Sequence, residues 1–172
     1  MSSTTTDHDH VIHLAIELSC STWLVAARMP GADRSSLHRI EGGDATALLA
    51  LVTSLRAKLA VTLKSTVAVA CCFEAGRDGF WLHRLLTAHG IASHVLEPTS
   101  ILVNRRARRA KTDRLDAEGM LRVLAAYLRG DHQACSMVRV PCVDGSGLAR
   151  AFFTFCSIGR CSHVFGLLVR FT

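Results

Sequence analysis

An α/β fold, a mixed sheet flanked by helices, is what this sequence predicts, and three observations predict it. Apolar runs of strand length stand at 11–17 (VIHLAIE), 22–28 (TWLVAAR) and 66–73 (TVAVACCF). Stretches with helical spacing stand at 45–59, 80–89 and 113–128. Strands and helices alternate after the opening runs, which implies layers of helix on a sheet.

Each element has its local reason. The first two strands are separated by the turn Ser19–Ser21 and are expected to pair as a hairpin, with a third strand at 36–40 after the loop MPGAD. Asp44 is a helix N-cap ahead of Leu48, Leu51, Val52, Leu55 and Leu59, which recur on one helical face. The run 66–73 is apolar throughout and rich in β-branched residues, as in a strand buried on both faces, and it ends on Glu74. After the turn AGRDG, Trp81, Leu82, Leu85 and Leu86 mark a helix that Gly90 stops. Strand 91–96 closes at Pro98, and strand–helix–strand with short connections implies a parallel pair. Leu115, Met120, Leu121, Val123 and Leu124 then mark the last helix, which ends at Gly130.

The chain of 172 residues is 49% apolar and 20% charged, which suits one domain with a core. The start MSSTTTDHDH (1–10) reads as a disordered tail; it lacks the basic and apolar regions of a signal peptide, and His8, His10 and His13 are expected to fray rather than bind metal. Apolar stretches are too short to span a bilayer, and seven cysteines without a CxxC pair fit neither a zinc site nor a secreted disulfide framework. A reducing, cytoplasmic setting follows, with Cys71 and Cys72 as small core residues. Trp23, Phe80 and Trp81 read as packing residues. Residues 142–172 hold five of the seven phenylalanines but follow neither helix nor strand period, the pattern of a frameshifted tail.

Charge is where chemistry concentrates. Arg105, Arg106, Arg108, Arg109, Lys111 and Arg114 are six of the 20 basic residues of a chain with net charge +6, and they run into Asp113 and Asp116. Such clustering calls for a polyanionic partner. The two aspartates, three apart, share a helix face, and like charges held so close call for a divalent cation. Glu17 and Glu74, at the ends of the first and the central strands, complete four oxygen donors around one cleft, a set suited to magnesium or manganese and to phosphodiester chemistry. Singly, each has a plainer role: solvated carboxylates for Glu17 and Glu74, an N-cap for Asp113, and a partner of the helix dipole for Asp116. A solvated arginine-rich edge is the plainer role of the basic run.

The segments AIELSCSTWLVA, CFEAGRDGFWLHRLL and RRARRAKTDRLDAEGML, with the later VRVP, resemble the N-terminal domain of the DEDD-type bacterial transposases of insertion-sequence family 110. The resemblance covers residues 11–141, and KTDRLDA is its most specific piece. It implies a RuvC-like, ribonuclease-H-type fold whose magnesium-binding tetrad falls on Glu17, Glu74, Asp113 and Asp116, with glutamate where the family name expects aspartate first. It further implies DNA as partner, an element-encoded guide RNA, homo-oligomers of the full-length protein, and a second domain with a nucleophilic serine. Ser146, Ser157 and Ser162 stand in another context, so a truncated copy, inactive alone, is the expectation. A stand-alone junction nuclease and a non-catalytic nucleic-acid-binding remnant are the alternatives; an actin-like phosphotransferase would need a glycine near Ser19.

Overall fold

The computed structural model describes residues 10–63, 66–76, 79–100 and 113–141. The basic run 105–111, the N-terminal tail up to residue 9 and the segment 142–172 therefore lie outside the described residues. The chain divides between Val140 and Pro141, and the unit ending at Val140 is the one with the elements below.

Strands β1 (Val11–Glu17), β2 (Thr22–Arg28) and β3 (Ser36–Glu41) form an antiparallel meander, with Glu17 opposite Leu24 and Leu24 opposite Arg39. Helix α1 (Ala45–Leu63) then leads to β4 (Ala68–Glu74), and α2 (Gly79–Ala88) leads to β5 (Ala92–Leu96). β4 runs parallel to β1, with Ile16 opposite Phe73, and β5 runs parallel to β4. The sheet order β3-β2-β1-β4-β5 is the expected ribonuclease-H-like arrangement of a mixed sheet. A short 3-10 turn (Pro98–Ser100) follows β5, and helix α3 (Asp113–Leu128) is the last of these elements among the described residues.

Strand alternation divides the core into two layers. Ile12, Leu14, Ile16, Val25, Cys71 and Phe73 face α1 and α2, where Leu48, Val52, Leu55, Leu82 and Leu86 cover them. Ala15, Leu24, Ala26, Ala70 and Cys72 face α3, where Ala117, Met120, Leu121 and Leu124 cover them. The small strand residues of that second layer let α3 come close: the Cys72 thiol lies 3.6 Å from the Met120 carbonyl. Cys71 and Cys72 are fully buried, and burial pushes both thiols well above their ordinary pKa.

The expected caps form. Asp44 Oδ1 accepts the Ala47 amide at 2.9 Å. At Gly90 (φ +66°) the Ile91 amide reaches back to the Leu86 carbonyl, and at Gly130 (φ +98°) the Asp131 amide reaches Ala126, so both helices end in a Schellman motif. Four expectations need correction. α1 runs on to Leu63, and by length and composition it could cross a membrane, yet Leu48, Val52, Leu55 and Leu59 pack it on the sheet. His13 lies inside β1, opposite Arg28, rather than in a frayed tail. Leu115 is 46% exposed, because its position on α3 faces away from the stripe of Ala117, Met120, Leu121 and Leu124. Phe80 is exposed too, while Trp23 is buried.

Beyond α3 the chain returns along β5, where the Val138 amide bonds to the Val95 carbonyl at 2.8 Å and Leu96 bridges Met137. This covers an edge that would otherwise offer unpaired backbone groups. His94 on β5 stands edge-on to Tyr127 of α3, 5.9 Å between ring centres. Burial, and then the charge of His83, lowers its pKa. Burial lowers His83 and His38 as well, helped by Arg84 and Lys58 respectively. As pH falls from the unfolded value of about 6.5, the unfolded chain takes up these protons first. The stability held by neutral histidines is thus complete above about 6.5 and lost as pH falls through the lower folded values. Melting temperature should drop from about pH 7 to pH 5, and His94→Gln should flatten that slope; a slope identical to that of the parent chain would refute the assignment.

Candidate functional site

The cleft at the strand ends is built by backbone pairing. Ile16 is opposite Phe73, so Glu17 and Glu74 take the next step on two neighbouring parallel strands, about 4.8 Å apart between strand axes. Alternation places both with Ala15 and Cys72, on the sheet face that α3 covers. β1 and β4 are inner strands, each paired on both sides. Just past Glu74, the Ala75 amide donates to the Leu96 carbonyl at 2.7 Å and prolongs the pairing with the neighbouring strand. The two glutamates open into one cleft of about 350 Å³, shared with Leu18, Ser19, Cys20, Ala75 and Gly76.

The wall opposite Glu74 is the β1–β2 turn. Ser19 Oγ accepts the Thr22 amide at 3.1 Å and donates to the Thr22 carbonyl, closing the turn on itself. The β3–α1 connection braces it from outside: the Gly42 amide donates to the Ser21 carbonyl at 2.9 Å, and a Cβ at Gly42 would stand 2.5 Å from the Cys20 carbonyl oxygen. Backbone is met here, not a side chain that could swing away. Gly42→Ala is expected to cost about 1–3 kcal/mol, as overpacking of a tight contact does. A thermal melt unchanged from the parent would refute it. Sequence reading took residues 19–21 as a turn only, and missed both the place of Ser19 and Cys20 in the cleft and the close packing of Gly42 behind the turn.

Of the four expected carboxylates, Glu17 and Glu74 are the two that line the cleft among the described residues. Asp116 precedes Ala117 and Met120 on α3, on the helix that packs over this sheet face, but it does not line the cleft. The side chain of Asp113 lies outside the described residues, although its backbone opens α3. Among the described residues no three His, Cys, Asp or Glu side chains stand close enough together to hold a metal ion. Glu17 and Glu74 alone nevertheless fit magnesium, which is commonly held by one or two carboxylates while water and substrate phosphate fill the remaining positions. Arg114 points its guanidinium to Glu118 one turn on, at 3.1 Å, on an exposed flank of α3. A wider groove of about 810 Å³ is lined by Thr53, Arg56, Ala57, Val67 and Gly90 among others, with no carboxylate among its described lining residues.

Over 131 residues, 76% of its length, the chain is 43% identical to a Sinorhizobium fredii protein named "Putative transposase y4rJ". The chain is a relative of that protein. It spans 33% of this relative's length. No family model matches the chain. Among solved structures it is similar to Marinitoga piezophila Argonaute in complex with a 5' OH guide RNA, with a TM-score of 0.41 and 10% identity over 55% of this chain and 17% of that one.

Proposed function

We propose that this chain carries the phosphodiester-processing domain of a DNA transposase, with Glu17 and Glu74 holding a divalent cation, magnesium or manganese. The observation that carries this reading is the meeting of two carboxylates, 57 positions apart in sequence, at adjacent strand ends in one cleft. The 43% identity to the transposase relative and the KTDRLDA segment support it. Asp113 and Asp116 complete the acidic set from α3. Arg105, Arg106, Arg108, Arg109 and Lys111, together with Arg114, bind the phosphates of DNA, and an element-encoded guide RNA offers them the same chemistry. On this reading the full-length protein works as a homo-oligomer in the bacterial cytoplasm and uses a serine-bearing domain for strand exchange.

When bound, the cation neutralises charge developing on phosphate oxygens and lowers the pKa of bound water. The residues of this chain do the positioning. Glu17 and Glu74 fix where a phosphate can sit, because inner strands do not shift without breaking the sheet. Glu17 is one methylene longer than an aspartate and reaches further into the cleft.

Manganese substitutes for magnesium and has an electron paramagnetic resonance signal when free. Titrating it into the purified chain should deplete that signal, and a DNA oligonucleotide should tighten the binding. A signal that stays undiminished with and without DNA would sink the proposal.

A further inference from the structure

We infer that the outward face of α3 docks duplex DNA, with Arg122 and Arg129 on its phosphates and Gly119 leaving room for the DNA backbone to lie against the helix. The inference rests on the proposed transposase role and adds a second contact, apart from the Glu17–Glu74 cleft.

Helix geometry defines the face. Ala117, Met120, Leu121 and Leu124 are buried on the side of α3 that covers the sheet. At about 100° per residue, Leu115, Gly119, Arg122 and Ala126 fall within one narrow arc, about half a turn away from that stripe. The Arg129 amide still donates to the Ala125 carbonyl at 3.3 Å, so Arg129 continues the same row. Exposure agrees with the geometry: Leu115 is 46% exposed, and Arg122 and Arg129 are exposed as well.

Two observations point to a polyanion on this face. Arg122 and Arg129 have no ion pair or side-chain hydrogen bond among the described residues, whereas the nearby carboxylates are engaged: Glu118 holds Arg114 at 3.1 Å, and Asp131 Oδ1 accepts the Gln133 amide at 3.2 Å. The two guanidinium groups are carried about 10 Å apart along the helix axis, on a chain with net charge +6. Exposed arginines by themselves are ordinary on a solvated face. Gly119 is not ordinary. It lies inside a helix of 16 residues, where glycine is the least favourable residue after proline, and a Cβ there would meet nothing within 4 Å. No packing among the described residues calls for a glycine, and the space it leaves lets another backbone come close from outside. Leu115, Ala126 and the two arginines offer no aromatic ring on which an unpaired base could stack, so the occupant is a duplex held by its phosphates.

The test is fluorescence anisotropy of the full 172-residue chain with a labelled DNA duplex across a salt series. Arg122→Gln and Arg129→Gln should each lower the slope of log affinity against log salt by about one, and the double variant by about two. Lys58→Gln removes the same charge from α1, on the other side of the sheet, and should leave the slope unchanged. Gly119→Gln should weaken DNA binding several-fold while the melting temperature holds or rises, since glutamine favours the helix and its Cβ meets no neighbour. Parental slopes in both arginine variants, or a Lys58→Gln loss as large as theirs, would overturn the inference and leave the cleft reading standing. So would undiminished binding by Gly119→Gln, or losses seen on an RNA duplex but not on DNA. A parent chain that binds no duplex DNA at any salt would overturn the DNA role itself, whereas the manganese titration judges the cleft.

Discussion

Glu74→Gln should weaken manganese binding by at least about 100-fold, beyond the usual loss when a residue that merely orients a ligand is changed. The amide keeps the size of the side chain and one oxygen but loses the charge that draws a divalent cation. Stability should move the other way. Without metal, Glu17 and Glu74 are like charges at adjacent strand ends, so removing one relieves repulsion and the melting temperature should hold or rise slightly. This opposite movement distinguishes a ligand from a structural residue. Glu118→Gln is the matched control, since Glu118 sits on the exposed flank of α3 with Arg114 and should leave metal binding unchanged. Glu17→Asp shortens the reach by one methylene and should weaken binding. Should Glu17→Asp instead tighten it many-fold, the glutamate is a defect in the site. Equal affinity in the parent and Glu74→Gln would disprove the assignment of Glu74.

Phe73→Ala should be the most destabilising of the substitutions considered, at about 3–5 kcal/mol. Phe73 is fully buried, stands opposite Ile16 on one side and Val95 on the other, and fills the layer under α1 and α2. Removing its ring leaves a cavity walled by inner strands that cannot collapse. A domain of ordinary stability holds only about 5–15 kcal/mol, so much of the margin goes with it. Denaturant melts followed by tryptophan fluorescence would report this through the buried Trp23 and its neighbour Trp81. Phe80→Ala, the other phenylalanine among the described residues, should stay within about 0.5 kcal/mol. If the two variants cost the same, the burial assigned to one of them is wrong.

The contrast between these phenylalanines shows what the sequence could disclose. Phe73 was legible because its whole neighbourhood is apolar and β-branched, and no exposed strand carries such a run. Phe80 was not, because it is followed at once by Trp81 and Leu82, and local composition does not say which of three adjacent bulky residues turns outward. The end of α1 was obscure for a related reason. Nothing in Ala60–Leu63 acts as a stop, so the helix continues until the chain must turn toward β4. Gly42 was invisible because what it avoids is a carbonyl 22 positions earlier, brought there by tertiary structure.

The site divides along the same line. Glu17 and Glu74 were expected at strand ends, and backbone pairing fixes strand ends, so the expectation that they meet was readable from order alone. Asp113 and Asp116 were readable as a helical pair, since spacing sets that. How far such a pair reaches over a sheet depends on helix tilt and on the small residues beneath, here Ala15, Ala70 and Cys72. Spacing encodes neither.

The cleft joins the last residue of β1 to the last residue of β4, with two strands and a helix intervening in sequence. Such a contact is non-local, and forming it must wait until the long loop between its halves has closed. An unfolded or half-formed chain therefore offers a cation only two distant, independent carboxylates. On the proposed cation binding, uptake would be a census of native molecules, and by mass action it would also draw the population toward the native state. A preparation could be graded for correctly paired central strands by a simple metal titration, before any DNA is added.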